Sequence, residues 1–243
     1  APITSTRPGC IEPIAARYDA TTADMFEPAV LEPTVDFLAE LAGEGAALEL
    51  GIGTGRVAVP LSRRGVRVQI VVDSVGSAKM GKTHTKRLED AGVKIGWVNP
   101  VLGADVEELN YRSHRKALVV DGQVAFIGGM GIADQWLHDD EKFPRWRDTQ
   151  IEVHGPAVGD IEAGFNQNWI MTGGVVDPEV PTAGPRSPGT AKSIVVWSSP
   201  QGGANELKLL YLLAIAAARE QIDIESPYLI TDESSQWSLR EAR

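Results

Sequence analysis

The feature that most constrains the fold is residues 66–73, VRVQIVVD, a run dominated by β-branched residues. Such a run is typical of a strand buried on both faces, and strands of that kind occur mainly in parallel sheets. A shorter apolar run, ALEL, lies upstream at residues 47–50. Between the two runs stand three glycines and a segment with a helical pattern at residues 56–64. This order predicts a βαβ unit and an α/β fold with a parallel sheet.

Local patterns extend the prediction along the chain. Helices are predicted at residues 28–42, 82–92, 158–170 and 205–221, and strands at residues 94–99, 150–155, 193–198 and 222–226. Residues 116–129 predict two strands about a turn at Asp121-Gly122. Prolines and glycines predict a linker over residues 173–191, and Thr231 or Asp232 is predicted to cap a last helix.

Charge and composition exclude several classes of protein. The formal net charge is -10, so nucleic acid is not expected as a partner, although a local basic pocket remains compatible with this charge. A single cysteine, Cys10, excludes an internal disulfide and a cysteine-based zinc site. The longest apolar stretch, Leu207 to Ala218, is too short to span a bilayer. With no apolar signal core at the N-terminus, we expect a cytoplasmic protein or one peripheral to the inner membrane face.

A candidate catalytic motif occupies residues 114–121. His114, Lys116 and Asp121 follow the spacing His-x-Lys-x4-Asp, and strand periodicity predicts that His114 and Lys116 share a face. A phosphodiester reaction needs a neutral nucleophile, a cation for the phosphoryl oxygens and a carboxylate that fixes the imidazole tautomer. Histidine, lysine and aspartate supply these groups in turn. The alternative is that a lone histidine beside a strand is a surface group or a satisfied core group.

The surroundings of the motif resemble a known family. The runs NYRSHRKALVVDGQVAFIGG and RWRDTQIEVHGPAV are similar to the first catalytic half of bacterial phospholipase D and cardiolipin synthase-type proteins. The stretch LYLLAIAAAREQIDIESPYLITDES resembles the opening of their second half. The resemblance covers about residues 64–243.

This resemblance implies a mixed sheet between helices and two halves that meet face to face, each giving one His-Lys-Asp set to a shared site. One histidine would form a phosphohistidine with the substrate, and the other would protonate the leaving alcohol. No metal or cofactor is implied. The expected substrate is a phospholipid or a small phosphodiester, with peripheral membrane contact. By alignment of RDTQIEV, Asp148 is the expected carboxylate near His114.

Two departures from the family pattern affect the expected activity. The family commonly has an asparagine after the motif where this chain has Gly131, so one polar group of the phosphate pocket is missing. The sequence also holds a single His-x-Lys-x4-Asp motif. We therefore expect either an inactive chain or a homodimer that completes the site, with the second half truncated.

A second resemblance concerns the N-terminal segment. Residues 16–68 are similar to the start of a class I S-adenosylmethionine-dependent methyltransferase. This alternative implies cofactor contacts from Glu49, Gly51, Gly53, Gly55 and Asp73; a tight βα turn explains the glycines equally well.

The two resemblances meet at SRRGVRV, which suggests a chimera. The expected layout is a methyltransferase-like, Rossmann-like βαβ piece (1–68), a phospholipase D-like half (69–172), a linker (173–192) and a truncated second half (193–243).

Overall fold

In the computed structural model, the described residues are 26–43, 46–50, 55–77, 80–100, 112–131, 136, 144–176, 189–198, 205–225 and 231–242. The chain divides into two compact units between Ser193 and Ile194. The first unit contains the sheet and the candidate motif, and the described residues of the second form two helices.

The helices and strands lie close to the predicted positions. The helices of the described residues are α1 (Pro28–Ala42), α2 (Ala58–Arg63), α3 (Lys82–Asp90), α4 (Ala157–Met171), α5 (Asn205–Ala217) and α6 (Glu233–Glu241). The strands are β1 (Ala46–Leu50), β2 (Arg67–Asp73), β3 (Lys94–Val98), β4 (Ala117–Val120), β5 (Val124–Gly128) and β6 (Gln150–His154).

One six-stranded mixed sheet, in the order β3-β2-β1-β4-β5-β6, organises the first unit. β1, β2 and β3 pair in parallel, as the βαβ pattern predicts. β4 pairs antiparallel with β1, and β5 and β6 continue antiparallel. β1 therefore lies at the centre of the same sheet as the motif-bearing strand, with β2 on one side and β4 on the other. This arrangement gives no support to a separate Rossmann-like N-terminal piece.

Helices cover the sheet on both faces. On one face, the core joins α1, α2 and α3 to alternate residues of β2; it includes Val35, Leu38, Val59, Leu61, Val68, Ile70, Val72 and Leu88. α4 contacts every strand of the sheet and buries Val158, Ile161, Phe165 and Trp169. Burial of a side chain such as Phe165 stabilises the fold by about 1.5–3 kcal/mol. The two layers hold the strand ends that carry the candidate site.

The turn between β4 and β5 is the predicted Asp-Gly hairpin. Asp121 and Gly122 have positive φ angles of 57° and 64°, and the Gln123 amide donates to the Val120 carbonyl at 3.0 Å. Both central residues of such a turn need positive φ, which aspartate and glycine tolerate better than most residues.

The second unit contains α5 and α6, as predicted, but the two strands predicted there are wrong. Residues 194–198 and 222–225 have no regular secondary structure, nor does Ser193 at the end of the first unit. An isolated apolar run has no sheet to join in the described part of this unit, and a strand needs a partner for its backbone groups. Asp232 caps α6 by accepting from the Ser235 amide at 2.9 Å, and it pairs with Lys208 of α5.

Among the described residues, we find no helix with both the length and the apolar character needed to cross a bilayer.

Candidate active site

His114 and Lys116 lie in the segment that leads into β4, rather than within the strand itself. Since β4 runs antiparallel to β1, this segment lies at the edge where the parallel strands end. The Lys116 Nζ atom is 3.5 Å from His114 Nδ1 and donates to the His114 carbonyl oxygen at 3.2 Å. The structure thus brings the imidazole and the ammonium together, while Arg115 between them donates to Gly164 and Gln167 of α4.

A cavity of about 400 Å³ lies against this pair. His114 and Lys116 line it together with Asp73, and other lining residues come from the turn after β2 and from the segment that follows β5. Its volume falls within the range of small-ligand sites. The cavity therefore offers room for a small ligand beside an imidazole and an ammonium group.

Burial lowers the pKa of Lys116, and the nearby negative charge of Asp148 acts in the opposite direction. A partly desolvated ammonium interacts more strongly with a phosphoryl oxygen than a hydrated one does, because the effective dielectric is lower. A perturbed lysine in a cavity is also a typical mark of a functional site. Lys116 is thus suited to bind a phosphoryl group.

Asp73, at the end of β2, fixes the chain segment that leads into His114. Its Oδ2 accepts from the Ser113 amide and from Asn99 Nδ2, both at 2.9 Å. Its Oδ1 accepts from the Val75 and Gly76 amides at 3.0 and 3.1 Å. Although burial of this carboxyl raises its pKa, these hydrogen bonds outweigh that effect and leave the pKa below the ordinary value. The residue that precedes His114 is therefore fixed by a buried carboxylate that was not predicted to have this role.

Asp148 interacts electrostatically with Lys116 and accepts a hydrogen bond from the indole of Trp136. Trp136 Nε1 donates to Asp148 Oδ2 at 3.0 Å, and the Thr149 amide donates to Asp148 Oδ1 at 2.8 Å. The Trp146 ring meets Trp136 edge-on with centroids 5.1 Å apart. The structure thus places Asp148 within electrostatic range of Lys116, with its hydrogen bonds going to Trp136 and Thr149.

The glycines after β5 make room for this arrangement. A Cβ on Gly129 would lie 2.4 Å from Asp148 Oδ1, and one on Gly131 would lie 3.0 Å from the Trp136 ring. The same Gly131 position is 3.6 Å from Lys116 Cε. Trp136 therefore stands beside the position where the family commonly has an asparagine. Sequence reasoning missed Trp136, because the indole reaches Asp148 from a segment with no secondary-structure pattern to place it.

The structure does not bring Asp121 to His114. Asp121 follows β4 while Lys116 precedes it, so the length of the strand separates them by roughly 16 Å. The Asp121 carboxylate instead accepts from the Ala46 amide at 2.8 Å, at the start of β1. Burial raises the pKa of Asp121, and the Ala46 amide and the charge of Arg67 offset this in part. The idea that Asp121 fixes the imidazole tautomer is therefore wrong for this geometry.

The residues of the cofactor alternative have other roles where the structure describes them. Gly55 has a φ of 82°, and a Cβ there would lie 2.5 Å from Leu88 Cδ2, so the turn itself requires glycine. Asp73 is only 8% exposed and is engaged with Asn99 and Ser113, which leaves it unsuited to hold a ribose. Gly51, Gly53 and the side chain of Glu49 lie outside the described residues. The described part of the chain shows no cluster of His, Cys, Asp or Glu placed to hold a metal.

The six-stranded mixed sheet with helices on both faces is compatible with a phospholipase D-like fold. Residues 56–169 match the family described as "Cardiolipin synthase, PLD-like domain", a match that supports the phospholipase D superfamily for this region. The matched region begins within the segment attributed to a methyltransferase and contains α2, β2 and the motif. Neither this match nor the relatives described next support a methyltransferase or a chimera.

Cardiolipin synthases are among the curated proteins that are similar to this chain. The chain is 35% identical to cardiolipin synthase 2 of Bacillus anthracis over 201 residues, which cover 80% of this chain and 38% of that protein. It is 32% identical to cardiolipin synthase of Geobacillus sp. (strain WCH70) over 200 residues, which cover 79% of this chain and 39% of that protein. The chain thus spans less than half the length of these relatives.

Among solved structures, NucT from Helicobacter pylori is similar with a TM-score of 0.35 and 11% identity, over 60% of this chain and 92% of that one. A score this low carries no argument about function.

Proposed function

We propose that this chain is a phospholipase D-type phosphodiesterase or phosphatidyltransferase that acts on a phospholipid through His114. The observation that carries the proposal is the His114–Lys116 pair, 3.5 Å apart at the wall of a cavity large enough for a phosphodiester. The similarity to cardiolipin synthases supports a phospholipid as the substrate.

The proposed chemistry proceeds in two steps and uses no cofactor. An imidazole nitrogen of His114 attacks phosphorus, a P–N bond forms, and the P–O bond to the leaving alcohol breaks. Lys116 binds the phosphoryl oxygens as negative charge develops on them. Water or a second alcohol then gives its proton to the group that acted as the acid and attacks phosphorus, so that a P–O bond forms, the P–N bond breaks and His114 is restored. The negative charge of Asp148 favours the charged form of Lys116. Asp73 positions the segment that carries His114.

The leaving alkoxide needs a proton, and a general acid must supply it. In this sequence, the His-x-Lys-x4-Asp motif is present once. We therefore propose that a second copy of the chain supplies the acid, with two His114 side chains meeting across a two-fold axis. A two-fold interface presents the same patch twice, so one motif per chain can provide both catalytic histidines.

A dilution series tests this proposal. Turnover of a chromogenic phosphodiester per chain is expected to rise with protein concentration and to fall to background in His114→Ala. Robust turnover by a proven monomer, abolished in His114→Ala, would show that another group supplies the proton.

Mixing the wild-type chain with His114→Ala gives a sharper test. If two copies of His114 are required, activity falls with the square of the wild-type fraction after subunit exchange. If each chain acts alone, it falls in direct proportion. The phosphohistidine is tested separately by acid-labile, base-stable labelling of the chain with a phosphodiester carrying ³²P, which His114→Ala should prevent.

A further inference from the structure

The basic residues of this acidic chain are strongly segregated. Residues 56–94 contain nine Lys and Arg against three Asp and Glu, a net charge of +6, whereas the whole chain carries -10. This segment runs from just before α2 to the first residue of β3. The chain thus contains a locally positive region, although its overall net charge is negative and argues against anionic partners.

The fold collects part of this charge on one face. Arg63 of α2 and the α3 residues Lys82, Lys86 and Arg87 are exposed and line one shallow, open groove. We call this group the basic face. Two acidic side chains belong to α3 as well: Asp90 accepts from Lys86 Nζ at 2.8 and 2.9 Å, and Glu89 is exposed. Four cations against two carboxylates leave the basic face positive.

An exposed tryptophan lies on the same side of the sheet. Ile95 of β3 packs against the core formed with α2 and α3, and Trp97 projects to the same face two residues later. Trp97 is 37% exposed. A tryptophan on the same face of a protein as lysine and arginine is typical of the membrane–water interface, where the ring enters the head-group layer and the cations meet anionic lipids.

In the sequence, the basic residues of α3 follow closely after a residue that lines the candidate active site. Ser77 lines the cavity of His114, and α3 begins five residues later at Lys82. A surface that adsorbs through the start of α3 would hold the cavity near the lipid layer.

We propose that the basic face, together with Trp97, binds the surface of an anionic phospholipid bilayer. The inference extends the proposed function, because it states how a chain that acts on phospholipid reaches its substrate. It concerns binding alone, so it can fail while the catalytic proposal holds. Charge complementarity favours an anionic partner, and the exposed tryptophan favours a bilayer over nucleic acid.

Vesicle sedimentation tests the proposal with the whole chain in a His114→Ala background, which prevents turnover. The chain with an unchanged basic face is expected to bind phosphatidylcholine vesicles that contain phosphatidylserine and to show no binding to vesicles of phosphatidylcholine alone. The bound chain should dissociate in high salt. Arg63→Gln/Lys82→Gln should weaken binding roughly 30-fold, since each basic residue near an anionic surface contributes about fivefold.

The matched control is Lys192→Gln/Arg219→Gln, which removes the same charge from exposed positions elsewhere and should bind like the parent. Asp90→Asn should strengthen binding severalfold, because it removes the carboxylate that pairs with Lys86. In the wild-type background, Arg63→Gln/Lys82→Gln should leave turnover of a soluble phosphodiester unchanged. A loss of that turnover would implicate the catalytic site instead.

Two results would overturn the proposal. One is that Arg63→Gln/Lys82→Gln and its control weaken vesicle binding equally. Binding would then depend on the net charge of the chain and not on the basic face. The other is tighter binding to duplex DNA than to the anionic vesicles at the same salt concentration. Trp97 provides an independent readout, because its replacement by phenylalanine should remove most of the blue shift of tryptophan fluorescence that vesicles cause.

Discussion

The carboxylate of Asp73 accepts a hydrogen bond from the Ser113 amide at 2.9 Å, across 40 positions of the chain. This bond links the end of β2 to the residue that precedes His114. It makes the position of the imidazole dependent on a side chain outside the motif.

Replacement of Asp73 by asparagine should therefore damage both stability and activity. An asparagine offers one acceptor oxygen, so its NH₂ group would face either the Ser113 and Asn99 donors or the Val75 and Gly76 amides. We expect the free energy of unfolding to fall by about 1–3 kcal/mol. Turnover should also fall, because the segment that carries His114 loses its fixed position although His114 itself is unchanged. Denaturant unfolding and turnover measure the two effects, and unchanged values for both would refute this role.

The acid sensitivity of the fold provides a second test of Asp73. Its pKa is lowered in the folded state, so its contribution to stability is complete above the unfolded pKa of about 3.8. The contribution is lost as the pH falls from that value through the folded pKa. The difference in stability between the wild type and Asp73→Asn should thus shrink below about pH 4. A difference that is constant with pH would mean that the charge of Asp73 has no role.

The negative charge of Asp148 should raise the pKa of Lys116. Burial lowers the pKa of Lys116 and Asp148 raises it, so Asp148→Asn should lower the pKa further. NMR titration of labelled lysine side chains measures this directly. Lys86 is the internal reference, because its partner Asp90 raises its pKa above the ordinary value.

Trp136→Phe is the matched control for this titration. It removes the hydrogen bond to Asp148 but keeps both the carboxylate and an aromatic ring beside Gly131, so the Lys116 midpoint should move less than in Asp148→Asn. Equal midpoints in the wild type and Asp148→Asn would contradict the electrostatic link.

Asp121 should tolerate asparagine. The amide oxygen can still accept from the Ala46 amide, and asparagine suits the positive φ of 57°. The raised pKa of Asp121 means that its ionisation costs stability as the pH rises through the folded pKa. Asp121→Asn should therefore retain stability and activity at neutral pH.

Asp121→Ala, in contrast, should lose about 1–3 kcal/mol of stability, because the Ala46 amide loses its acceptor and alanine disfavours positive φ. Thermal unfolding and turnover distinguish the two variants. Loss of activity in a fully folded Asp121→Asn would restore a direct catalytic role.

Local patterns predicted most of the first unit, including the hairpin at Asp121-Gly122 and the parallel pairing of β1 with β2. They could not predict that β4 would pair with β1, because that contact joins segments some 70 residues apart and no local pattern encodes it. The roles of Asp73 and Trp136 were missed for the same reason. The wrong strands at residues 193–198 and 222–226 show the converse, since an apolar β-branched run becomes a strand only where a partner is available.

Asp121 also bears on how such motifs diverge. The aspartate at the end of His-x-Lys-x4-Asp accepts from the Ala46 amide and stands at a positive φ, so selection for folding acts on it whether or not the histidine reacts. Paralogues that abandon catalysis should lose histidine and lysine first and keep the aspartate, or replace it by asparagine. In genome surveys, an aspartate retained at this position would then indicate an intact hairpin and would not indicate that the protein is an active enzyme.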